Sequence, residues 1–233
     1  MLESLKERVY RETLKLREYG LAVPTGGSVS GIDRERGLVV IRPGGVSCGE
    51  LTSADMLVVD LIDGRVAEGK HRPPIDTPTH LYLYRAFPGI GGLVHTRSVN
   101  AAAWAQAGKD LPVYGATHAD AFCGAVPCTR ALTEKEVKGT YELNVGKVIE
   151  ETFEGKDAAL IPAALVRGHG PFVWGETPER AVENAAVLEL AAETAIKTLL
   201  LEPNAPPAEN YLTEKRYARR HGKKVRGGRK SKR

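Results

Sequence analysis

Three residues far apart in the chain carry side chains that together could hold a metal ion. They are Asp76 in Asp76-Thr77-Pro78-Thr79-His80, His95 at the end of an apolar stretch, and His169 in Arg167-Gly168-His169-Gly170-Pro171-Phe172. Two imidazoles and a carboxylate beside strand ends and glycines suit a first-row divalent ion, and the nitrogen donors favour zinc. The same residues have ordinary roles too, Asp76 as a helix cap and the histidines as hydrogen-bonded groups, and spacing does not choose between these. A second cluster is Thr25-Gly26-Gly27-Ser28-Val29-Ser30, followed by Arg42-Pro43-Gly44-Gly45. Backbone N–H groups around Gly27, Ser28, Gly44 and Gly45, with a cation nearby, could cradle a phosphate; glycines at hairpin turns would look the same. In Thr117-His118-Ala119-Asp120, Asp120 is either a general acid or base or a solvated, capping carboxylate.

These groups need elements to place them. Leu2, Leu5, Val9 and Leu16 predict an amphipathic helix over residues 2–18, stopped at Gly20. Val29 to Ile32 pairs with Leu38 to Ile41 as a hairpin, and Met56 to Leu61 forms a strand with a turn at Asp63-Gly64. Pro78 lies just inside a short helix ending at Ala86, before a buried strand from Gly91 to Thr96 and a small helix carrying Trp104. After the segment Val113 to His118 a looping stretch runs to Pro127, and Thr133 with Glu136 caps a helical region reaching about Phe153. Leu160 to Val166 is a strand, and Thr177-Pro178-Glu179 opens the longest helix, with Ala181, Ala185, Leu188, Ala192 and Leu199 on one face. Short strands interleaved with helices predict an α/β protein, a mixed sheet with helices on both faces.

The 233 residues hold 33 Lys+Arg against 29 Asp+Glu, but residues 215–233 alone contain 11 of the basic residues and no acid, so the body is acidic and the end strongly basic. That division predicts a folded domain over residues 1–214 and a solvated tail over 215–233, the latter able to attract polyanions non-specifically. Apolar runs such as residues 158–166 fall far short of the ~20 residues needed to span a membrane. The N-terminus has no signal-peptide core, and Cys48, Cys123 and Cys128 are odd in number, which predicts reduced thiols and a cytoplasmic protein.

In this order the motifs resemble the L-ribulose-5-phosphate 4-epimerases of the class II aldolase/epimerase family. The resemblance runs through Asp33-Arg34-Glu35-Arg36-Gly37, Asp76-Thr77-Pro78-Thr79-His80, Ala86-Phe87-Pro88-Gly89-Ile90-Gly91-Gly92, Trp104-Ala105-Gln106-Ala107-Gly108, Thr117-His118-Ala119-Asp120, Pro127-Cys128-Thr129-Arg130 and His169-Gly170-Pro171-Phe172. It implies a three-layer α/β/α fold around a mainly antiparallel sheet, and a C4 homotetramer with active sites at subunit interfaces. The implied substrate is a small phosphorylated ketose, whose carbon–carbon bond next to the carbonyl is cleaved and re-formed with the help of a divalent metal, usually zinc. By resemblance Asp76, His95 and His169 fall on metal-ligand positions, Asp120 on an acid/base position, and Gly27, Ser28, Gly44 and Gly45 on the phosphate loops.

The chain also departs from the family pattern. Where the family's ligand strand reads His-x-His, this chain has His95-Thr96-Arg97, and a guanidinium cannot ligate zinc. The family's C-terminal His and Tyr align near Arg216 and Arg226-Gly227, and neither is retained. Two functions therefore follow from the sequence: a metal-dependent epimerase, or a catalytically silent oligomer of the same fold.

Overall fold

The computed structural model describes residues 2–22 and 26–222. Thr25 of the first glycine loop and residues 223–233 of the basic segment lie outside the described residues. In chain order the elements are α1 (Glu3–Glu18), β1 (Ser28–Asp33), β2 (Leu38–Ile41), a single 3-10 turn (Ser53–Asp55), β3 (Leu57–Asp60), β4 (Val66–Glu68), α2 (Thr77–Ala86), β5 (Gly92–His95), α3 (Val99–Ala107) and α4 (Ala116–Ala121). They continue as α5 (Glu134–Lys138), α6 (Tyr141–Thr152), β6 (Ala163–Val166), β7 (Gly170–Gly175), α7 (Pro178–Leu201) and α8 (Asn210–His221).

The strands form one seven-stranded sheet in the order β4-β3-β2-β1-β5-β7-β6. All its ladder pairings are antiparallel, in place of the mixed sheet expected from the alternation of elements alone. Alternate residues of each strand point to opposite faces. Val40, Val58, Val94 and Val173 pack with Val9 and Leu16 of α1, Trp104 of α3 and Leu188 of α7. Val39, Ile41, Val59, Leu93 and Trp174 pack on the other side with Leu83 of α2 and Val145 and Ile149 of α6. Burial on both faces explains why Leu38 to Ile41 is an unbroken apolar run rather than an alternating one. Each fully buried Val or Leu contributes about 1.5–3 kcal/mol of transfer free energy. Together these layers make the three-layer α/β/α architecture.

The ends of β5 are set by close packing. A Cβ on Gly92 would lie 2.4 Å from the backbone of Thr177 and Pro178, so only glycine lets β5 run against the start of α7. That helix begins as expected: Thr177 accepts from the Arg180 N–H and Pro178 occupies its first turn.

Several expectations change. The helical region after Thr133 is two helices, divided at Gly139, whose φ of −90° and ψ of −134° leave the helical region. Residues 116–121, which straddle the segment ending at His118 and the looping stretch after it, form α4, and residues 170–175, of which Gly170-Pro171-Phe172 reads in sequence only as part of a motif, form β7. The boundary at residue 215 falls inside α8. The first part of the basic segment is helical because Tyr217, only 4% exposed, finds an apolar seat and Arg216 pairs with Asp120. No helix of the described residues is long and apolar enough to cross a membrane, and all three cysteines are free thiols.

Candidate metal centre and its surroundings

Strand register brings the separated residues together. His95, the last residue of β5, lies opposite Ser28 at the start of β1 and Phe172 of β7. Asp76 immediately precedes α2, and His169 precedes β7. The His95 ring stacks on Phe172 at 4.4 Å between centroids and lies 4.8 Å from the His169 ring.

Each predicted ligand is oriented from behind. His95 Nδ1–H donates to the Pro171 carbonyl at 3.0 Å, which leaves Nε2 as a lone pair. His169 Nδ1 and the Tyr141 hydroxyl are 2.8 Å apart, reaching across from α6. Asp76 Oδ2 accepts a hydrogen bond from Ser28 Oγ. The atoms facing away from these supports, Asp76 Oδ1, His95 Nε2 and His169 Nε2, are buried with no hydrogen-bond partner. A buried polar atom left unpaired costs about 1–3 kcal/mol, so three together at the predicted ligand set call for a common partner.

The protonation states suit a cation. Burial pushes the His95 imidazole down to about 4, with His169 and Arg97 adding to the effect and Asp76 opposing it. His169 is also lowered, by burial first and then by the Arg97 charge. Burial opposes ionisation of Asp76, but the neighbouring His80, then His95 and the Ser28 hydroxyl, outweigh it and hold the carboxyl well below the usual range. Neutral imidazoles beside a carboxylate are the forms that coordinate metal. Among the described residues, no group of three or more His, Cys, Asp or Glu is placed as a metal-holding cluster. By donor chemistry, two neutral imidazoles and a carboxylate with buried unpartnered atoms are of the kind a divalent ion takes. Arg97, exposed at the edge of this group, supplies charge and no lone pair.

The glycine loops lie beside the same end of the sheet. Gly27 has φ +83°, and a Cβ there would sit 3.3 Å from the His95 carbonyl oxygen. Arg42, only 3% exposed, donates to the Gly27 carbonyl at 2.6 Å and the Val46 carbonyl at 2.8 Å, tying the two loops together. Two of the donors expected for a phosphate are engaged within the protein. The Ser28 hydroxyl hydrogen goes to Asp76, and the Gly44 N–H goes to the Arg72 carbonyl at 3.0 Å. Gly45, at φ +74°, has open space where a Cβ would point.

Asp120 stands apart from this group. It sits on α4, where Arg216 of α8 donates two hydrogen bonds to its carboxylate, at 2.8 and 2.6 Å, and His221 Nε2–H donates to its carbonyl at 2.8 Å. Among the described residues no hydrogen bond, ion pair or ring contact joins Asp120 to Asp76, His95 or His169. A cleft of 820 Å³ lined by Phe87, Lys156, Trp174, Arg180, Tyr217 and His221 includes none of the predicted site residues. It lies toward the opposite end of β5, and none of the buried unpartnered atoms of Asp76, His95 and His169 lines it. Sequence reading missed Tyr141, and it named Arg216 and Ser30 without the partners they have in the structure; nothing in the chain marks a tyrosine 28 positions before its histidine partner.

Comparison with known proteins gives this geometry a family. The profile of the class II aldolase and adducin N-terminal domain matches residues 7–196. The chain belongs to this class II aldolase family. Its relatives include the L-ribulose-5-phosphate 4-epimerases UlaF of Salmonella paratyphi A and Salmonella typhi, each 49% identical over 221 residues, covering 95% of this chain and 96% of theirs. Among solved structures, an L-fuculose 1-phosphate aldolase superposes with a TM-score of 0.78 at 23% identity, covering 93% of this chain and 95% of that one. The L-fuculose-1-phosphate aldolase of Thermus thermophilus gives a TM-score of 0.64 at 25% identity, over 88% of this chain and 98% of that one. The class II aldolase fold expected from the motifs is thus the fold of this chain.

Proposed function

We propose that this class II aldolase-family chain is a divalent-metal-dependent L-ribulose-5-phosphate 4-epimerase, with zinc as the metal. The observation that supports the proposal is that three predicted donor atoms, Asp76 Oδ1, His95 Nε2 and His169 Nε2, are buried and unpartnered in a chain 49% identical to 4-epimerases. A bound divalent ion supplies Lewis acidity toward the ketose oxygens, which favours opening of the carbon–carbon bond next to the carbonyl.

The chain's own residues do the remaining work. His95 and His169, held neutral by burial, present fixed lone pairs, and Asp76 supplies the only carboxylate charge among the three. Arg97 places a permanent cation at the edge of the group, where it attracts an anionic sugar phosphate. The Gly27 and Gly45 turns, joined by Arg42, border the region for the phosphate. Asp120 would exchange a proton with a substrate hydroxyl after the aldehyde fragment turns its other face. Its position on α4 requires a neighbouring copy to bring it to the ligands, in keeping with a homotetramer whose sites lie at subunit interfaces.

The test is an NMR assay for conversion of L-ribulose 5-phosphate to D-xylulose 5-phosphate, alongside metal analysis after dialysis. Turnover with close to stoichiometric zinc is expected; less than about a tenth of a zinc per subunit with no turnover would refute the proposal. Two observations favour a second reading, a silent oligomer of this fold: Arg97 stands beside the ligands, and Arg216 occupies the Asp120 carboxylate. That protein would assemble normally, show no turnover, and bind RNA with a steep salt dependence that disappears when residues 215–233 are deleted.

A further inference from the structure

Behind Asp76 runs a chain of polar side chains that the proposed chemistry does not use. Asp76 Oδ2 accepts from Ser28 Oγ; Ser28 Oγ lies 2.9 Å from His80 Nε2; His80 Nδ1 lies 2.7 Å from Ser30 Oγ; and Ser30 Oγ lies 2.9 Å from the Tyr84 hydroxyl. Ser30, His80 and Tyr84 are fully buried and Ser28 is 1% exposed, so water cannot substitute for any member. His80 does not bond Asp76 directly, because Nε2 is 3.6 Å from Oδ2, beyond hydrogen-bond reach. Its hydrogen-bonded link to Asp76 runs through Ser28.

For a neutral His80 the hydrogens in this chain run one way. A carboxylate only accepts, so the Ser28 hydroxyl must donate to Asp76, and its oxygen is left to accept from His80 Nε2–H. A neutral imidazole has one N–H, so Nδ1 must accept, and the Ser30 hydroxyl donates to it. Ser30 then accepts from the Tyr84 O–H. Reversal of any one bond would set two lone pairs or two hydrogens against each other in a dry interior. Secondary structure supplies the geometry: Ser28 and Ser30 share one face of β1, while Asp76, His80 and Tyr84 recur at four-residue spacing along one side of α2.

We propose that Tyr84, Ser30, His80 and Ser28 form a positioning relay that pins Asp76 through Oδ2 and so directs Oδ1 at the metal. His80 is its pivot, locked as the Nε2–H tautomer. The inference rests on Asp76 being a metal ligand, and it adds the residues that aim it. Without the Ser30 hydroxyl, His80 can carry its proton on Nδ1; Ser28 then donates to Nε2, and Asp76 loses its support.

Two measurements on the full chain test this. Zinc affinity, from competition with a chromophoric chelator, should fall about 10-fold to 100-fold in Ser30→Ala, the usual effect of removing an outer partner of a ligand. Tyr84→Phe, which keeps the ring in the core, should weaken zinc in the same direction but less, and His80→Gln, which retains a donor and an acceptor, should retain more affinity than His80→Leu. Nitrogen-15 NMR of the wild-type zinc-free protein should show His80 protonated on Nε2. Folding is followed by urea midpoint, and if Ser30→Ala does not fold, Tyr84→Phe decides. A folded Ser30→Ala or Tyr84→Phe protein with wild-type zinc affinity, or a wild-type His80 protonated on Nδ1, overturns the relay. If wild-type protein takes up no zinc, Asp76 is not a ligand and the aiming role falls with it, whereas the NMR tautomer still judges the hydrogen-bond chain separately.

Discussion

Gly92→Ala joins the packing of the sheet to the geometry of the site. The added Cβ would lie 2.4 Å from Pro178 N and from Thr177 C and O, all of them backbone. Ordinary contact begins near 3.4 Å, so β5 and the start of α7 must separate by about 1 Å, and no flexible side chain can absorb the shift. Overpacking of this kind costs about 1–3 kcal/mol, and a backbone obstacle puts Gly92→Ala at the upper end. The lower entropy of the unfolded alanine chain offsets only about 0.4–1 kcal/mol. A net loss of about 2 kcal/mol is expected, read as a lower urea midpoint with unchanged slope at fixed protein concentration. Gly89→Ala is the control, since a Cβ there meets nothing within 4 Å and only the unfolded-chain gain of about 0.4–1 kcal/mol applies. Because His95 lies three residues beyond Gly92 on the same short strand, Gly92→Ala should also weaken zinc binding. A Gly92→Ala protein as stable as the Gly89→Ala control would refute the claim that close packing of β5 on α7 sets the strand.

Other outcomes follow from the site and the buried histidines. Arg97→His should raise zinc uptake sharply, because it removes a cation that depresses both His95 and His169 and adds a third imidazole; unchanged uptake in metal analysis would remove Arg97 from the site. Tyr141→Phe removes the partner of His169 Nδ1 and should lower zinc affinity about 10-fold, with little change in urea midpoint, in the same chelator competition. His118 is buried, and its imidazole is pushed from 6.5 down to about 4 by desolvation, against the hydrogen bond to the Gly124 carbonyl. Between those values the unfolded chain binds a proton that the native state excludes, so stability should fall as pH drops from 6.5 toward 4, by about 2–3 kcal/mol. Urea midpoints at about pH 7 and about pH 4.5 should show a smaller drop in His118→Gln than in wild type, and equal drops would contradict the assignment.

Much of the fold was legible in local patterns. The Thr133–Glu136 and Thr177-Pro178 starts and the glycine-bounded apolar runs each gave a correct element, because caps, turns and periodicity act within a few residues. Misses came where tertiary partners outweighed local signals. α8 is helical although dense like charge argues against it, since Asp120 and an apolar seat for Tyr217 compensate. β7 contains Pro171, a poor strand former, and is held as a strand between β5 and β6.

The candidate site divides in the same way. By itself the sequence determined which residues could bind metal, and the motifs around Asp76, His95 and His169 determined the family and the layered fold, because residue type sets donor chemistry and short motifs set turns. Only the tertiary structure decided that β1, β5, β7 and the start of α2 meet at one place, through a register that sets Ser28 and Phe172 beside His95. It also decided that the Ser28 hydroxyl serves Asp76, that Tyr141 backs His169, and that Asp120 is held by Arg216. Such assignments depend on through-space distances and on which of several possible partners takes each hydrogen, and neither is encoded in spacing along the chain.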